Sequence, residues 1–210
     1  MANNYDKIAT QYDALSRLIF AKAQVNAQIN QLNYIPANSS ILIAGGGTGW
    51  ILEELSKVHS SGLKIVYVEL SAKMILLSQA RNCKNNIVEF VNLPIEEFST
   101  DNSFDIILTP FLFDNFTSKQ AELVFFQLNH LLKDNGKWFL VDFTLEHHTG
   151  RWWKALLLKS MYLFFRFFRM IQTSHLIEMK PYFFNHHYQI IEERYYYKHF
   201  IKATIFKKKK

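Results

Sequence analysis

The chain is expected to fold as an α/β protein built on a doubly wound, mainly parallel sheet. Three observations predict this. Strand-like apolar runs alternate with helical stretches between residues 41 and 142, the order that puts helices over both faces of a sheet. The runs ILIA and KIVYV are continuously apolar, as strands buried on both faces are. A glycine cluster, AGGGTGW at residues 44–50, joins the first run directly to a helix.

The elements follow in order. A helical region over about residues 4–32 ends before Pro36, because proline disfavours helical geometry in the residue before it. Strand 41–44, helix 50–59, strand 64–69, helix 72–81 and strand 87–91 come next, with Pro94 marking a turn. Strand 105–109, helix 118–132, a turn over 133–136 and strand 137–142 complete the alternation. After Gly150 comes a long helical segment, then HYQIIEERYYY and HFIKATIFKK, read as a closing antiparallel hairpin around residues 197–199. No repeat or low-complexity linker divides the sequence, so its 210 residues are expected to form one domain. Its parts are a helical lid (1–35), a binding core (36–145), a helical cover (146–185) and the hairpin (186–210).

Ligands of such sheets bind beyond the carboxyl ends of the strands. Gly45 to Gly49, Glu69, Thr109 to Asp114 and Asp142 to His148 all fall there. Glycine serves a turn in two ways: it accepts positive φ, and it lets backbone come close to a ligand. Gly45, Gly47 and Gly49 alternate, with Gly46 between them, and Thr48 can hydrogen-bond its own turn. The helix that follows aims its unpaired N–H groups at whatever occupies the turn. Glu69 stands at the tip of the second strand, twenty positions after Gly49, where a carboxylate can accept from two ribose hydroxyls. The pattern is that of a nucleotide-type cofactor pocket.

These features together resemble the class I S-adenosylmethionine-dependent methyltransferases, and within them the small enzymes of ubiquinone and menaquinone biosynthesis. The likeness runs from about Tyr5 to Asp142 and rests on YDKIATQYDALSRLI, GGGTG, VYVELSAKMILLSQAR, FDIIL and LNHLLKDNGKWFLVDF. It implies a seven-stranded sheet with helices on both faces and an antiparallel C-terminal strand. It also implies S-adenosylmethionine as cofactor, held by Gly45, Gly46, Gly47, Thr48 and Gly49, by Glu69 and Leu70, and by Thr109, with Tyr5 and Tyr12 in a lid over it. Two positions depart from the family pattern. Ile43 stands where an acid usually orients the methionyl amine, and the segment after Val88 lacks the acid that usually meets the adenine amine. Asn92 could partly replace the second, since its side-chain carbonyl can accept from an amine.

The chain is 49% hydrophobic and 16% aromatic, which excludes intrinsic disorder. Its single cysteine, Cys83, cannot form an internal disulfide, which fits a cytoplasmic protein. The N-terminus is too polar for a secretory signal. Charge is uneven: residues 1–150 carry 11 Lys and Arg against 15 Asp and Glu, net −4, whereas residues 151–210 carry 13 against 3, net +10. Within the basic part, RWWKALLLKSMYLFFRFFRMI at 151–171 is aromatic and interrupted by Lys154, Lys159, Arg166 and Arg169. A central cation costs roughly 2.5–3.5 kcal/mol on insertion, so this segment is not expected to cross a membrane. A helical wheel puts the four cations on one face and Trp153, Leu157, Phe164, Phe167, Phe168 and Ile171 opposite. The apolar face is expected to line a pocket for a hydrophobic small molecule. The alternative is peripheral contact with the anionic inner face of a membrane, aided by Lys207 to Lys210. Nucleic acid is not expected, because the aromatics lie opposite the cations.

Methyl transfer from a sulfonium needs the acceptor held close and, for a phenol or enol, a general base. His147 and His148, after the fifth strand, and Asp114, after PFLF, are the candidates. No His, Cys and Asp spacing suits a metal. The function expected is methyl transfer to a quinone, lipid or phenol-like acceptor. A relative that keeps the fold without catalysis, as a cofactor-binding or membrane-associated accessory protein, is the alternative that Ile43 motivates. A nicotinamide dehydrogenase is disfavoured by the spacing of the glycines.

Overall fold

The computed structural model describes residues 5–7, 9–168, 171 and 173–209. Arg169 and Lys210, invoked above, lie outside them. The strands are β1 (Ser40–Ala44), β2 (Ser61–Val68), β3 (Asn85–Val91), β4 (Phe104–Pro110), β5 (Leu132–Phe143), β6 (Tyr188–Tyr196) and β7 (Ile201–Lys208). The helices are α1 (Ala9–Phe20), α2 (Ala23–Ile29), α3 (Trp50–Val58), α4 (Ala72–Gln79), α5 (Ser118–Leu131), α6 (Arg151–Phe167) and α7 (Lys180–Asn185). The strands form one seven-stranded sheet in the order β3-β2-β1-β4-β5-β7-β6. β1 to β5 pair in parallel, and β7 runs antiparallel between β5 and β6. Strand order therefore reverses between β1 and β4, which opens a crevice at their carboxyl ends.

The pleat of β1 divides the core. Ile41 and Ile43 point into one apolar layer with Ile51, Leu55 and Tyr67, while Leu42 and Ala44 join the opposite layer with Phe125 and Trp138. A third cluster, with Phe20, Phe143, Leu158, Tyr162 and Phe200, lies beneath α1, α2 and α6. Helix α5 starts with a capping box, in which Thr117 and Gln120 exchange side-chain and backbone bonds.

Three local differences from expectation occur, two of them with a backbone cause. The N-terminal helical region is broken at Ala21, whose φ of 51° no helix accommodates. β2 starts at Ser61 instead of residue 64. The turn over 133–136 lies inside β5, whose pairing with β4 slips between Phe104 and Ile106; Asn135 has a φ of 61° there, as a bulge requires. The hairpin between β6 and β7 turns at Tyr197, Lys198 and His199, all with positive φ.

The wheel of the basic segment is corrected more substantially. Lys154 is fully buried, with Leu158 and Tyr162 on the same inner face, whereas Trp152, Leu156, Leu163 and Phe167 are 62–79% exposed. The inner face is chosen by the aromatic third cluster, into which Lys154 extends its aliphatic stem; its Nζ lies 3.5 Å from the His199 carbonyl. Cations and aromatics therefore share the outer face, and the argument that separated them no longer excludes nucleic acid. Lys207 and Lys208 stand at the other end of the sheet, where Lys207 pairs with Lys137 and Lys208 donates to the Asn129 and Leu132 carbonyls. No helix among the described residues is long and apolar enough to cross a membrane.

Candidate functional site

The turn between β1 and α3 is shaped by glycines with different tasks. Gly45, Gly47 and Gly49 have φ of 71°, 65° and 78°. A Cβ on Gly49 would lie 2.4 Å from the Cβ of Ser78 and 2.6 Å from its Cα, and one on Gly46 would lie 2.3 Å from the Tyr67 ring. Those two glycines let α4 and Tyr67 close against the turn. A Cβ on Gly47 would meet nothing within 4 Å, so that residue faces open space. Beneath it, the Tyr67 hydroxyl donates to the Gly47 carbonyl at 2.9 Å. The Gly47 N–H donates to Glu69 Oε2 at 3.0 Å, and Oε1 of the same carboxylate accepts from the Ser71 N–H at 2.9 Å. Burial pushes the Glu69 carboxyl above its ordinary pKa, against the pull of these backbone donors.

Residues from the N-terminal region close over the turn. Thr48 Oγ1 donates to the Asp13 carboxylate at 2.8 and 2.9 Å, and Arg81, whose Nε donates to the Thr48 carbonyl at 2.9 Å, lies 3.7 Å from Asp13. Asp6 accepts from the Ser71 hydroxyl and the Lys73 N–H at the start of α4, which lowers its pKa. The Tyr5 hydroxyl donates to Asn115 Oδ1, and its ring meets Tyr12 edge-on. Sequence reasoning found the two tyrosines and missed Asp6, Asp13, Tyr67 and Arg81. The acids of YDKIATQYD, Asp6 three positions before the start of α1 and Asp13 four positions into it, carry no motif; only their distant partners give them a role.

Between lid and turn lies a cavity of about 370 Å³, within the range of small-molecule sites. Of the residues expected to hold the cofactor, Gly45, Gly46, Gly47, Thr48, Glu69, Leu70, Tyr5 and Tyr12 line it. Three expected residues do not. Gly49 is taken up in the contact with Ser78. Thr109 is fully buried and accepts from the Trp138 indole N–H at 2.9 Å; the alternation of β4 turns it into the core instead of the crevice. Asn92 donates through Nδ2 to the Glu69 and Leu70 carbonyls, each at 2.9 Å, so it braces the strand ends. The neighbouring segment lines the cavity instead, with Leu93, Ile95 and the acids Glu96 and Glu97. Ile43 is buried among apolar neighbours away from the cavity.

Two acids meet beside the cavity, behind Asn115 of its wall. Asn115 Nδ2 donates to Asp114 Oδ1 at 2.9 Å, while Asp142 at the end of β5 accepts from the Phe143 N–H at 2.8 Å. Desolvation and the neighbouring Asp142 hold the Asp114 carboxyl well above the ordinary range, and desolvation raises Asp142 to about 7. The charge of an ionised Asp142 therefore disfavours ionisation of Asp114 beside it. The candidate histidines lie elsewhere. His147 packs its ring 4.6 Å from Tyr195 and 4.3 Å from His199, and His148 is exposed; neither lines the cavity. Residues after β5 turn away from the crevice toward the β6–β7 hairpin, which the linear pattern does not show. No group of acids, histidines or cysteines among the described residues could hold a metal.

This strand order, with its antiparallel β7 and its glycine turn under a helical lid, is a fold that the chain shares with solved methyltransferases. Residues 41–136 match the methyltransferase domain family. The chain is 24% identical to the ubiquinone/menaquinone biosynthesis C-methyltransferase UbiE of Hahella chejuensis over 151 residues, which are 69% of this chain and 59% of that one. It spans about three fifths of that relative's length. Among solved structures, it is similar to the 1,6-didemethyltoxoflavin-N1-methyltransferase of Burkholderia thailandensis, with a TM-score of 0.66 at 14% identity, covering 98% of this chain and 86% of that one. It is also similar to the N-methyltransferase NodS of Bradyrhizobium japonicum, solved with S-adenosyl-L-homocysteine, with a TM-score of 0.61 at 14% identity and coverage of 89% and 87%.

Proposed function

We propose that this protein transfers a methyl group from S-adenosylmethionine to a hydrophobic small molecule, of quinone, lipid or phenol type. The observation that carries the cofactor reading is the open space over Gly47, bounded by Glu69 on one side and the Tyr5 and Tyr12 lid on the other. The cofactor supplies a methyl group already activated on a sulfonium. Glu69 keeps unused lone pairs for ribose hydroxyls, and Leu93, Ile95 and Glu96 supply an apolar wall and an acceptor for the adenine. Phe111, Leu112 and Phe116 line the cavity beyond Gly45, and this apolar wall supports a hydrophobic acceptor. Helix α1 excludes water and holds the acceptor against the methyl group, which is the main task for an electrophile of this kind.

Asp114 does not line the cavity but stands directly behind Asn115 of its wall; it is the residue proposed as general base, for which Asn115 would have to move aside to admit the proton that an acceptor hydroxyl or acidic carbon loses. Its basic form appears as the pH rises, because its pKa is raised. For Asp114→Asn, kcat is expected to fall by roughly 10²–10⁴ with little change in KM, and the wild-type rise of kcat with pH should flatten. An unchanged pH profile would remove Asp114 from the reaction.

Calorimetric titration with S-adenosylmethionine and S-adenosylhomocysteine tests the cofactor reading directly. Both should bind, and Glu69→Gln should weaken each by roughly tenfold or more, the worth of a charge-assisted hydrogen bond. Wild-type protein that binds neither would sink the enzyme reading and favour an accessory protein that keeps only the fold.

A further inference from the structure

We propose that the outer face of α6 docks this protein on an anionic lipid surface. Trp152, Leu156, Leu163 and Phe167 are 76%, 62%, 72% and 79% exposed, a concentration of large apolar side chains that an isolated soluble helix does not present to water. At 3.6 residues per turn these four, with Lys159 and Arg166, fall within about 100° of arc along a helix of about 25 Å. Lys159 and Arg166 are exposed on that arc, Arg151 is exposed at its start, and α6 contains no acid. The stripe is therefore apolar along its centre and cationic along one margin, complementary to a surface that is hydrophobic below and negative above.

The inner face of the same helix is already committed. Leu158, Tyr162 and Phe165 pack with Tyr5, Tyr12 and Phe111 of the lid and the cavity wall. Helix α6 thus stands between the outer stripe and the side of the crevice where Asp114 and Asp142 lie. Docking would bring the acceptor side of the cavity next to the bilayer; the docking itself does not depend on which acceptor is methylated. A groove that tracks a nucleic-acid backbone is what single-strand binding needs, whereas this face is a single convex helix with leucines at its middle.

The test uses the full chain and sedimentation with vesicles of phosphatidylcholine alone or with 30% phosphatidylglycerol. Binding is expected to the anionic vesicles, weaker in high salt and on the neutral ones. The double change Leu163→Glu and Phe167→Glu should lower binding at least tenfold. Lys159→Ser with Arg166→Ser should lower it by roughly fivefold per cation. All four side chains point outward, so circular dichroism and calorimetric binding of S-adenosylhomocysteine should stay at wild-type levels. No sedimentation with anionic vesicles at low salt overturns the proposal. So does a wild-type dimer that the glutamate pair dissociates, which would make the stripe a contact between copies, or binding of a single-stranded oligonucleotide without vesicle binding. Because vesicle binding is read without turnover, failure here leaves the methyltransferase reading standing.

Discussion

Asp142 is a carboxyl group that does better with its proton on. Its pKa rises from 3.8 to about 7 through desolvation, although the N–H groups of Phe143, Asp114 and Phe113 favour the ionised form. Since the folded chain binds this proton more tightly than the unfolded one, its contribution to stability is complete below about pH 4 and is lost as the pH climbs through 7. Thermal unfolding of the wild type should fall across that window. Asp142→Asn keeps an oxygen for the Phe143 N–H and removes the titration, so its melting curve should change less between pH 5 and 8. At pH 8 the variant should melt higher, by 2–4 °C for each ~1 kcal/mol recovered. Equal pH slopes for the two proteins would mean that the proton is held elsewhere.

At the level of the element, the glycine turn separates two kinds of constraint that its sequence merges. Gly49→Ala must push against the backbone and Cβ of Ser78 from a left-handed conformation, with an expected loss of about 2–4 kcal/mol from strain and overpacking together. Gly47→Ala meets open space and pays only the left-handed conformation, roughly 1–2 kcal/mol. It should lose less stability than Gly49→Ala yet lose most binding of S-adenosylhomocysteine. If Gly47→Ala binds normally, the space above it is not the cofactor's. The same distinction marks what the sequence could say. Strand and helix order, the turn and Glu69 were legible because each is a local pattern, apolar run or spacing. Thr109 was misjudged because a strand end supplies two faces, and only the pairing of β4 with β5 decides which one meets Trp138. His147 packs against Tyr195 and His199 of the hairpin, some fifty residues on, and His148 is exposed. The rotation of α6 is not legible from charge, because Lys154 is buried and the aromatic third cluster decides which side of the helix faces inward.

Across the whole molecule, charge and connectivity are both uneven. Among the described cations of residues 151–210, Arg151, Lys159 and Arg166 lie on α6, and Lys207 and Lys208 mark the rim of the sheet where β5 begins. These described cations therefore stand on separate parts of the surface. The position of β7 has a consequence for how the chain acquires its shape. Lys137 pairs with Lys207 and Phe143 with Ile201, so one edge of β5 is closed only by residues almost sixty or more positions further on. Until the β6–β7 hairpin arrives, the crevice half of the sheet presents an open apolar edge, available to any neighbouring chain. Assembly should therefore be governed by a late, slow docking step, and a truncation before Ile201 would remove an interior strand from the sheet, leaving a species prone to self-association instead of a slightly shortened protein.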